Sequence, residues 1–140
     1  MCRALALDCA SKLPEGCTLF LNIEPGSVFD PELDKLSTVG LSPRRVVLEI
    51  TERAAVKDYG LFRQALDLAR GIGLRLAVDD VGAGYSGLRL LSETQPDFIK
   101  LDMNFTRNIQ DKAVNRALVG AIAQLAETLD VVLIVEGVET

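Results

Sequence analysis

Five short apolar runs divide the chain, and each has the length of a β-strand. They are rich in Val, Leu and Ile and span residues 18–23, 46–50, 74–78, 98–101 and 131–135. Nearly continuous apolar character is typical of strands in a sheet that is covered on both faces. The pattern therefore predicts a buried sheet with at least five strands.

Helical patterns lie between these runs. An amphipathic stretch covers 3–13, Asp30-Pro31 marks an N-cap with proline in the first turn of a short helix ending near 39, and 86–91 forms a helical turn. The two clearest helices, 61–72 and 112–129, each carry one apolar stripe. The stripes consist of Phe62, Ala65, Leu66 and Ala69 in the first and of Val114, Leu118, Ile122, Leu125 and Leu129 in the second.

Alternation of strands and helices predicts parallel strands joined by right-handed crossovers. An open doubly wound sheet and a (β/α) barrel both fit this order. Polar residues stand at or near the carboxyl ends of all five strands, where a barrel gathers its active-site groups on one face. This favours an α/β fold that is part of a TIM-type barrel, because a complete barrel has eight strands in about 250 residues. The polar residues are Asn22, Glu49, Asp79, Asp80, Lys100 and Glu136.

The amino-acid composition excludes several kinds of functional site. The 140 residues are 49% hydrophobic, which is enough for one domain, and the net charge of −5 argues against a surface that binds bulk nucleic acid. The absence of histidine excludes Ser-His triads and His-liganded zinc. Cys2, Cys9 and Cys17 fit no zinc spacing and are interpreted as free thiols in a reducing cytoplasm. No apolar run is long enough to span a membrane, so we expect no membrane contact by this segment.

The acidic residues at the strand ends suggest a metal site. A carboxylate such as Glu49 within an apolar strand is costly unless it is paired or bound to a metal, and an ion pair with Arg45 or Arg75 is the structural alternative. Asp79 and Asp80 repel each other unless cations lie nearby; a solvated loop start or a helix cap is the alternative here. With Asn22 and Glu136 they form an all-oxygen donor set suited to Mg²⁺ or Mn²⁺. Two such ions about 4 Å apart are the recurring arrangement for phosphodiester hydrolysis.

Lys100 alternates with apolar neighbours, so its ammonium is expected to point inward. It could orient the attacking water or offset phosphate charge, and an ion pair with a nearby aspartate is compatible with either role.

Gly82, Gly84 and Gly87 fit the G-x-G-x-x-G pattern of dinucleotide-binding loops, with Asp102 at the position of a ribose-binding acid. Two features oppose that interpretation. Asp79 and Asp80 would face the pyrophosphate without a screening metal, and the following helix is too short for a Rossmann crossover.

Five segments in order resemble the EAL domain family of bacterial phosphodiesterases that hydrolyse cyclic di-GMP. They are Leu-Asn-Ile-Glu-Pro at 21–25, Leu-Glu-Ile-Thr-Glu at 48–52, Asp-Asp-Val-Gly-Ala-Gly-Tyr-Ser-Gly-Leu at 79–88, Asp-Phe-Ile-Lys-Leu-Asp at 97–102 and Val-Glu-Gly-Val-Glu-Thr at 135–140. Together they span residues 21–140 in the family's order, which makes the resemblance specific.

The resemblance implies a role for each matching residue. Asn22, Glu49 and Asp79 match metal ligands, Asp79 as the bridging carboxylate, and Asp80 matches a ligand of the second Mg²⁺ or Mn²⁺. Lys100 matches the lysine that contacts the catalytic water, and Glu136 matches a second-metal ligand or general base. Glu52 matches a glutamate that stabilises the loop after the paired aspartates, and Glu139 matches a further acid near the site.

The chain also departs from the family pattern. It lacks the Glu-Ala-Leu motif, whose glutamate is a metal ligand, and the family's final strand and its glutamine. In the loop, Val81, Ala83 and Gly87 replace the usual Phe, Thr and Ser, and Glu24 stands where Ser is common. These changes bear on metal binding and dimerisation.

From these observations we expect residues 1–140 to be a single partial EAL domain of a cytoplasmic phosphodiesterase. The intact domain is expected to form a homodimer and to be joined to a sensor or GGDEF-type domain. A degenerate domain that binds cyclic di-GMP or a protein partner without turnover is the alternative. The isolated segment is expected to be inactive and to aggregate, because the edges of an incomplete barrel expose backbone and apolar groups.

Overall fold

A computed structural model describes residues 9–10, 12–25, 40–52, 55–82 and 87–138. It divides into two compact units, the first formed by Met1–Ile50 with Ala54–Leu76 and the second by Thr51–Arg53 with Ala77–Thr140. Most of the predicted helix at 3–13 and all of the predicted helix ending near 39 lie outside the described residues.

The first unit is built on two parallel strands, β1 (Leu19–Ile23) and β2 (Val46–Thr51). They pair in register from Leu19 opposite Val46 to Ile23 opposite Ile50. A 3₁₀ turn at Pro43–Arg45 leads into β2, whose residues from Val46 to Ile50 are all buried. The prediction of a strand covered on both faces is confirmed for β2.

Helix α1 (Tyr59–Gly71) completes the described part of the first unit. The Asp58 carboxylate caps its first turn by accepting hydrogen bonds from the amides of Gly60 (2.8 Å) and Leu61 (3.0 Å). The apolar stripe expected from the spacing is the buried face of the helix: Phe62, Ala65, Leu66 and Ala69.

The second unit contains the greater part of β3 (Arg75–Val81), followed by three helices and two strands. In order these are α2 (Gly87–Thr94), β4 (Phe98–Leu101), α3 (Met103–Thr106), α4 (Ala113–Leu129) and β5 (Val132–Val135), with a 3₁₀ turn at Ile109–Asp111. β3 pairs with β4, and β4 with β5, both in parallel. The five strands are parallel and follow the chain order, as the sequence predicted for a segment of a barrel.

Some expectations are corrected. β3 does not end at 78 but runs to Val81, so Asp79 and Asp80 lie within it, and α2 extends to Thr94 rather than 91. Helix α3 was not predicted, because four residues are too few to show helical periodicity.

The apolar stripe expected on α4 does not form a buried face among the described residues. Val114 is 71% exposed, Leu118 43% and Leu129 51%, and Ala126 is the residue of this helix that is buried. Strand β5 is likewise uncovered in part, since Val132 is 56% exposed. Within the described ranges, no helix is both long and apolar enough to cross a membrane.

Candidate active site

A β-bulge places two aspartates opposite one lysine. Val78 pairs with Ile99 and Val81 pairs with Leu101, so that Asp79 and Asp80 together oppose Lys100. Asp80 has a φ of 56°, a left-handed conformation that is uncommon for residues other than glycine. The bulge interrupts the alternation that would otherwise send neighbouring side chains to opposite faces. Bulges of this kind are frequent beside active sites.

The Lys100 ammonium joins carboxylates from two other strand ends. Its Nζ lies 3.1 Å from Oδ1 of Asp79 and 2.9 Å from Oε1 of Glu136. The Lys100 and Asp79 side chains are only 16% and 15% exposed, while that of Glu136 is 39% exposed. Asp79 Oδ1 also accepts a hydrogen bond from the amide of Asp80, at 3.0 Å. We call Asp79, Asp80, Lys100 and Glu136 the strand-end cluster.

Lys100 is largely buried and forms an ion pair with Asp79, a pairing that is compatible with either role expected for its ammonium. Because the pairing is shared with the more exposed Glu136, the ammonium sits between two carboxylates at the edge of the solvent. Charge pairs that are partly buried are screened less than surface pairs, so this arrangement fixes all three side chains.

Glu52 ties both ends of the glycine-rich loop together. This carboxylate is 4% exposed; Oε2 accepts from the amide of Gly82 at 2.9 Å, and Oε1 accepts from the amide of Gly87 at 2.7 Å. Hydrogen bonds to an ionised acceptor are about twice as strong as neutral ones. Residues 83–86, which these bonds enclose, lie outside the described residues.

The same bonds argue against a dinucleotide site. A phosphate-binding loop turns its backbone amides toward the ligand, whereas the amides of Gly82 and Gly87 are bound by Glu52. Asp102, placed by the sequence at the ribose-binding position, is 5% exposed and caps α3 through the amide of Asn104. The described ends of the loop, Gly82 and Gly87, are therefore held by an internal carboxylate.

The first unit carries two further candidates, Asn22 and Glu49. They are register partners on β1 and β2, so their Cα atoms are neighbours across adjacent strands. Asn22 is exposed and Glu49 is buried. Of the two arginines considered as partners for Glu49, Arg45 donates from Nε to the carbonyl of Cys17 (2.9 Å), and Arg75 donates to the hydroxyl of Thr18 (2.9 Å). Arg75 and Glu49 both take part in further interactions, so the ion pair stays an alternative for Glu49.

The donor chemistry fits a hard divalent cation. Asp79, Asp80 and Glu136 offer only oxygen, are half-buried, and lie at the strand ends. Within the described ranges, no three acidic or cysteine side chains come close enough to hold a metal ion by themselves. Mg²⁺ is commonly held by one or two carboxylates with water in the remaining positions, so the residues present are compatible with such an ion.

The structure describes only some of the remaining residues that the sequence singled out, which are Glu139 and the three cysteines. Glu139 lies outside the described residues, as does Cys2. Cys9 and Cys17 are free thiols and exposed, as expected. The bulge at Asp79 and Asp80 was missed by sequence reasoning, and the adjacent acids directly before a Gly-x-Gly segment were its available signal.

Comparison with known proteins assigns almost the whole chain to one family. The model of the EAL domain matches residues 2–140. An uncharacterised signalling protein of Caulobacter vibrioides is 38% identical over 125 residues, which cover 86% of this chain and 16% of that protein. The probable cyclic di-GMP phosphodiesterase PdeG of Escherichia coli is 32% identical over 136 residues, covering 94% of this chain and 27% of PdeG.

A solved structure supports the same comparison. The manganese and cyclic di-GMP complex of Klebsiella pneumoniae BlrP1 superimposes with a TM-score of 0.88 and 38% identity. The match covers 99% of this chain and 37% of the BlrP1 chain. This chain therefore spans less than half the length of each of these three proteins.

Proposed function

The chain belongs to the EAL domain family, and from this premise we propose that it is part of a phosphodiesterase that hydrolyses cyclic di-GMP to linear pGpG. The observation that carries the proposal is the strand-end cluster, in which a bulged pair of aspartates, a lysine and a glutamate come from three successive strands. The similarity to PdeG, and to BlrP1 in complex with manganese and cyclic di-GMP, supports the choice of substrate.

Divalent cations are part of this proposal. Asn22, Glu49, Asp79, Asp80 and Glu136 would hold Mg²⁺ or Mn²⁺. When bound, such ions supply a nucleophile at neutral pH and stabilise charge on phosphoryl oxygens.

Lys100 and Glu136 are proposed as the catalytic pair. The Lys100 ammonium, held between two carboxylates, contributes positive charge that offsets the charge developing on a phosphate in the transition state. Glu136, at 39% exposure, can reach a water molecule and accept its proton. Their 2.9 Å contact couples the proton acceptor to a fixed cation.

Glu52 has a supporting role in the proposal. By binding the amides of Gly82 and Gly87 it closes the loop that follows the paired aspartates. This limits the movement of the backbone beside Asp80. Glu139 is proposed as a further acid near the site.

The proposed active protein is longer than this chain. The matched segments cover only 16%, 27% and 37% of the three relatives, which supports a longer protein with a complete EAL domain joined to a sensor or GGDEF-type domain. The family resemblance is the basis for proposing that this domain acts as a homodimer. We propose that residues 1–140 form one incomplete domain of that protein.

The test is turnover by the full-length gene product. Purified protein is incubated with cyclic di-GMP and either Mg²⁺, Mn²⁺ or EDTA, and the products are separated by chromatography. The proposal expects pGpG with either metal and none with EDTA. Asp67→Asn, on the exposed side of α1, serves as the matched control variant for Asp79→Asn.

The outcomes separate catalysis from binding. Formation of pGpG that is lost in Asp79→Asn and kept in Asp67→Asn supports a phosphodiesterase. Tight binding of cyclic di-GMP without any turnover would replace it with the receptor function that the sequence left as the alternative.

A further inference from the structure

Helix α3 (Met103–Thr106) is a short, fixed element beginning three residues after Lys100. The carboxylate of Asp102 caps it by accepting from the amide of Asn104 at 2.7 Å. From α4, the Asn115 side-chain amide donates to the carbonyls of Asn104 (3.3 Å) and Phe105 (3.2 Å). Both ends of the helix are thus attached to surrounding structure.

One side of α3 contacts the backbone that follows the paired aspartates. Gly82 has a φ of +98°, and a Cβ atom there would lie 2.4 Å from Cε2 and 2.8 Å from Cζ of Phe105. The Phe105 ring therefore occupies the space that any other residue at position 82 would need. Since the Gly82 amide is bound by Glu52, this residue is held between a carboxylate and an aromatic ring two positions after Asp80.

Another side of α3 contacts the backbone that follows Glu136. Gly137 has a φ of +67°, and a Cβ atom there would lie 2.7 Å from Cβ of Met103. The Thr106 hydroxyl donates a hydrogen bond to the carbonyl of Glu136 at 2.5 Å. The chain leaving β5 is thus packed against the same four-residue helix as the chain leaving β3.

We propose that Met103, Phe105 and Thr106 are positioning residues, and that α3 sets the placement of Asp79, Asp80 and Glu136 around Lys100. The inference deepens the proposed function, on which it rests for the reaction these side chains serve. Its basis is that the chain segments after three neighbouring strands meet on one capped helix. A displacement of Gly82 or Gly137 would also move a cluster acid, because Asp80 lies two residues before Gly82 and Glu136 lies one residue before Gly137.

The glycines provide a matched experiment in the full-length protein. Gly82→Ala introduces both left-handed strain and a clash with Phe105, whereas Gly73→Ala, at a φ of +92°, introduces the strain with no described neighbour closer than 3.6 Å. Gly137→Ala and Gly40→Ala, at +67° and +75°, form a second pair, since no atom of the described residues lies within 4 Å of a Cβ at Gly40. The measurements are Mn²⁺ affinity by calorimetry, the thermal unfolding midpoint and turnover of cyclic di-GMP.

We expect Gly82→Ala and Gly137→Ala to weaken Mn²⁺ binding roughly 10-fold or more, the scale seen when groups that orient metal ligands are lost. Gly73→Ala and Gly40→Ala should lower the unfolding midpoint while leaving Mn²⁺ affinity within about 2-fold of the unmodified protein. Neither residue adjoins a cluster acid in the chain, and a Cβ at Gly73 would meet Pro43 and Arg44 rather than α3.

A second variant removes the clash and avoids dependence on a poorly folded protein. Phe105→Leu shortens the side chain at the atoms nearest Gly82, so Gly82→Ala combined with Phe105→Leu should bind Mn²⁺ more tightly than Gly82→Ala alone. Thr106→Val keeps the side-chain volume but removes the hydroxyl, and should weaken Mn²⁺ binding with no glycine strain at all.

Equal Mn²⁺ affinities within each glycine pair would overturn the positioning role. So would a Gly82→Ala, Phe105→Leu double variant that does not recover Mn²⁺ affinity, or a full-length protein that binds no Mn²⁺. Failure of the proposed function has a different signature: the unmodified protein binds Mn²⁺ with the expected sensitivity to Gly82→Ala, but does not hydrolyse cyclic di-GMP.

Discussion

Two regions of the second unit differ in which side chains they expose to solvent. In the strand-end cluster, Lys100 and Asp79 are charged but only 16% and 15% exposed, and they are joined by an ion pair. In the apolar stripe of α4 and in β5, Val114 and Val132 are 71% and 56% exposed. Proteins normally expose charge and bury valine, so both regions depart from the usual distribution.

The burial of charge in one region and the exposure of apolar side chains in the other have different physical causes. Burial of charge is costly unless the groups pair, so the cluster persists because its lysine and carboxylates satisfy one another. Exposed apolar side chains cannot be stabilised by pairing with one another in this way. Such surfaces commonly mark places where further protein packs. Substitutions in the cluster should therefore affect chemistry, and substitutions in the stripe should affect the packing of further protein against it and leave the chemistry unchanged.

The largest expected effect is at Asp79. Asp79→Asn in the full-length protein removes the carboxylate charge that accepts the Lys100 ammonium, and with it a proposed metal ligand. We expect turnover of cyclic di-GMP to fall about 1,000-fold, equivalent to roughly 4 kcal/mol. Asp67→Asn is the control, because that side chain is 77% exposed and its contact with Arg70 is a surface pair. Similar losses in the two variants would erase the distinction between cluster and surface acids.

The next effect is at Lys100. Lys100→Met keeps the length of the side chain but leaves Asp79 and Glu136 without their shared cation. Turnover should fall about 100-fold, because an ammonium that offsets developing charge contributes on the order of 3 kcal/mol. Lys112→Met, at an exposed position before α4, is the matched control and should stay within about 2-fold of the unmodified rate. Steady-state kinetics measures both variants. Full retention of activity in Lys100→Met would exclude the catalytic role.

A further effect, measured on stability, is expected at Glu52. Glu52→Ala leaves the amides of Gly82 and Gly87 without their acceptor, so the free energy of unfolding should fall by roughly 2–4 kcal/mol. Glu127→Ala on the exposed side of α4 should change it by less than about 0.5 kcal/mol. Chemical denaturation of the full-length protein measures both. A loss for Glu52→Ala no larger than the control would mean that the loop does not depend on this carboxylate.

The smallest effect compares two valines in strands. Val47→Ala removes two methyl groups from a side chain with 0% exposure, and should cost roughly 2 kcal/mol of unfolding free energy. Val132 is 56% exposed within this chain, which by itself implies a cost below about 1 kcal/mol for Val132→Ala. Because the proposed remainder of the domain packs there, we expect the cost in the full-length protein to exceed that value. The same denaturation experiment gives both values. A cost below about 1 kcal/mol would show that β5 stays exposed in the full-length protein and that no further protein packs against it.

The sequence predicted the strands well because apolar runs of strand length are a direct signal of buried sheet. Residues 98–101 were placed without error, and the α1 face of Phe62, Ala65, Leu66 and Ala69 followed from periodicity alone. Periodicity also located α4, but it could not reveal exposure, because a stripe predicts which residues share a face and not what lies against that face.

The candidate site was predictable in its residues but not in its geometry. Alternation along a strand cannot foresee a bulge, since the extra residue at Asp79 and Asp80 depends on the left-handed backbone of Asp80. The contacts of α3 with Gly82 and Gly137 were equally hidden, because they join residues far apart in the chain. Glu52 was identified through the family resemblance, since a lone glutamate after a strand carries no signal of the amides it binds.

The most direct test of the central claim is to locate the metal and the substrate. Crystals of the full-length protein grown with Mn²⁺ and cyclic di-GMP would be measured at the manganese absorption edge. We expect anomalous peaks within bonding distance of the Asp79 and Asp80 carboxylates, with a phosphate of cyclic di-GMP beside Lys100 and Glu136. Manganese or cyclic di-GMP bound elsewhere, with the strand-end cluster unchanged, would contradict this claim.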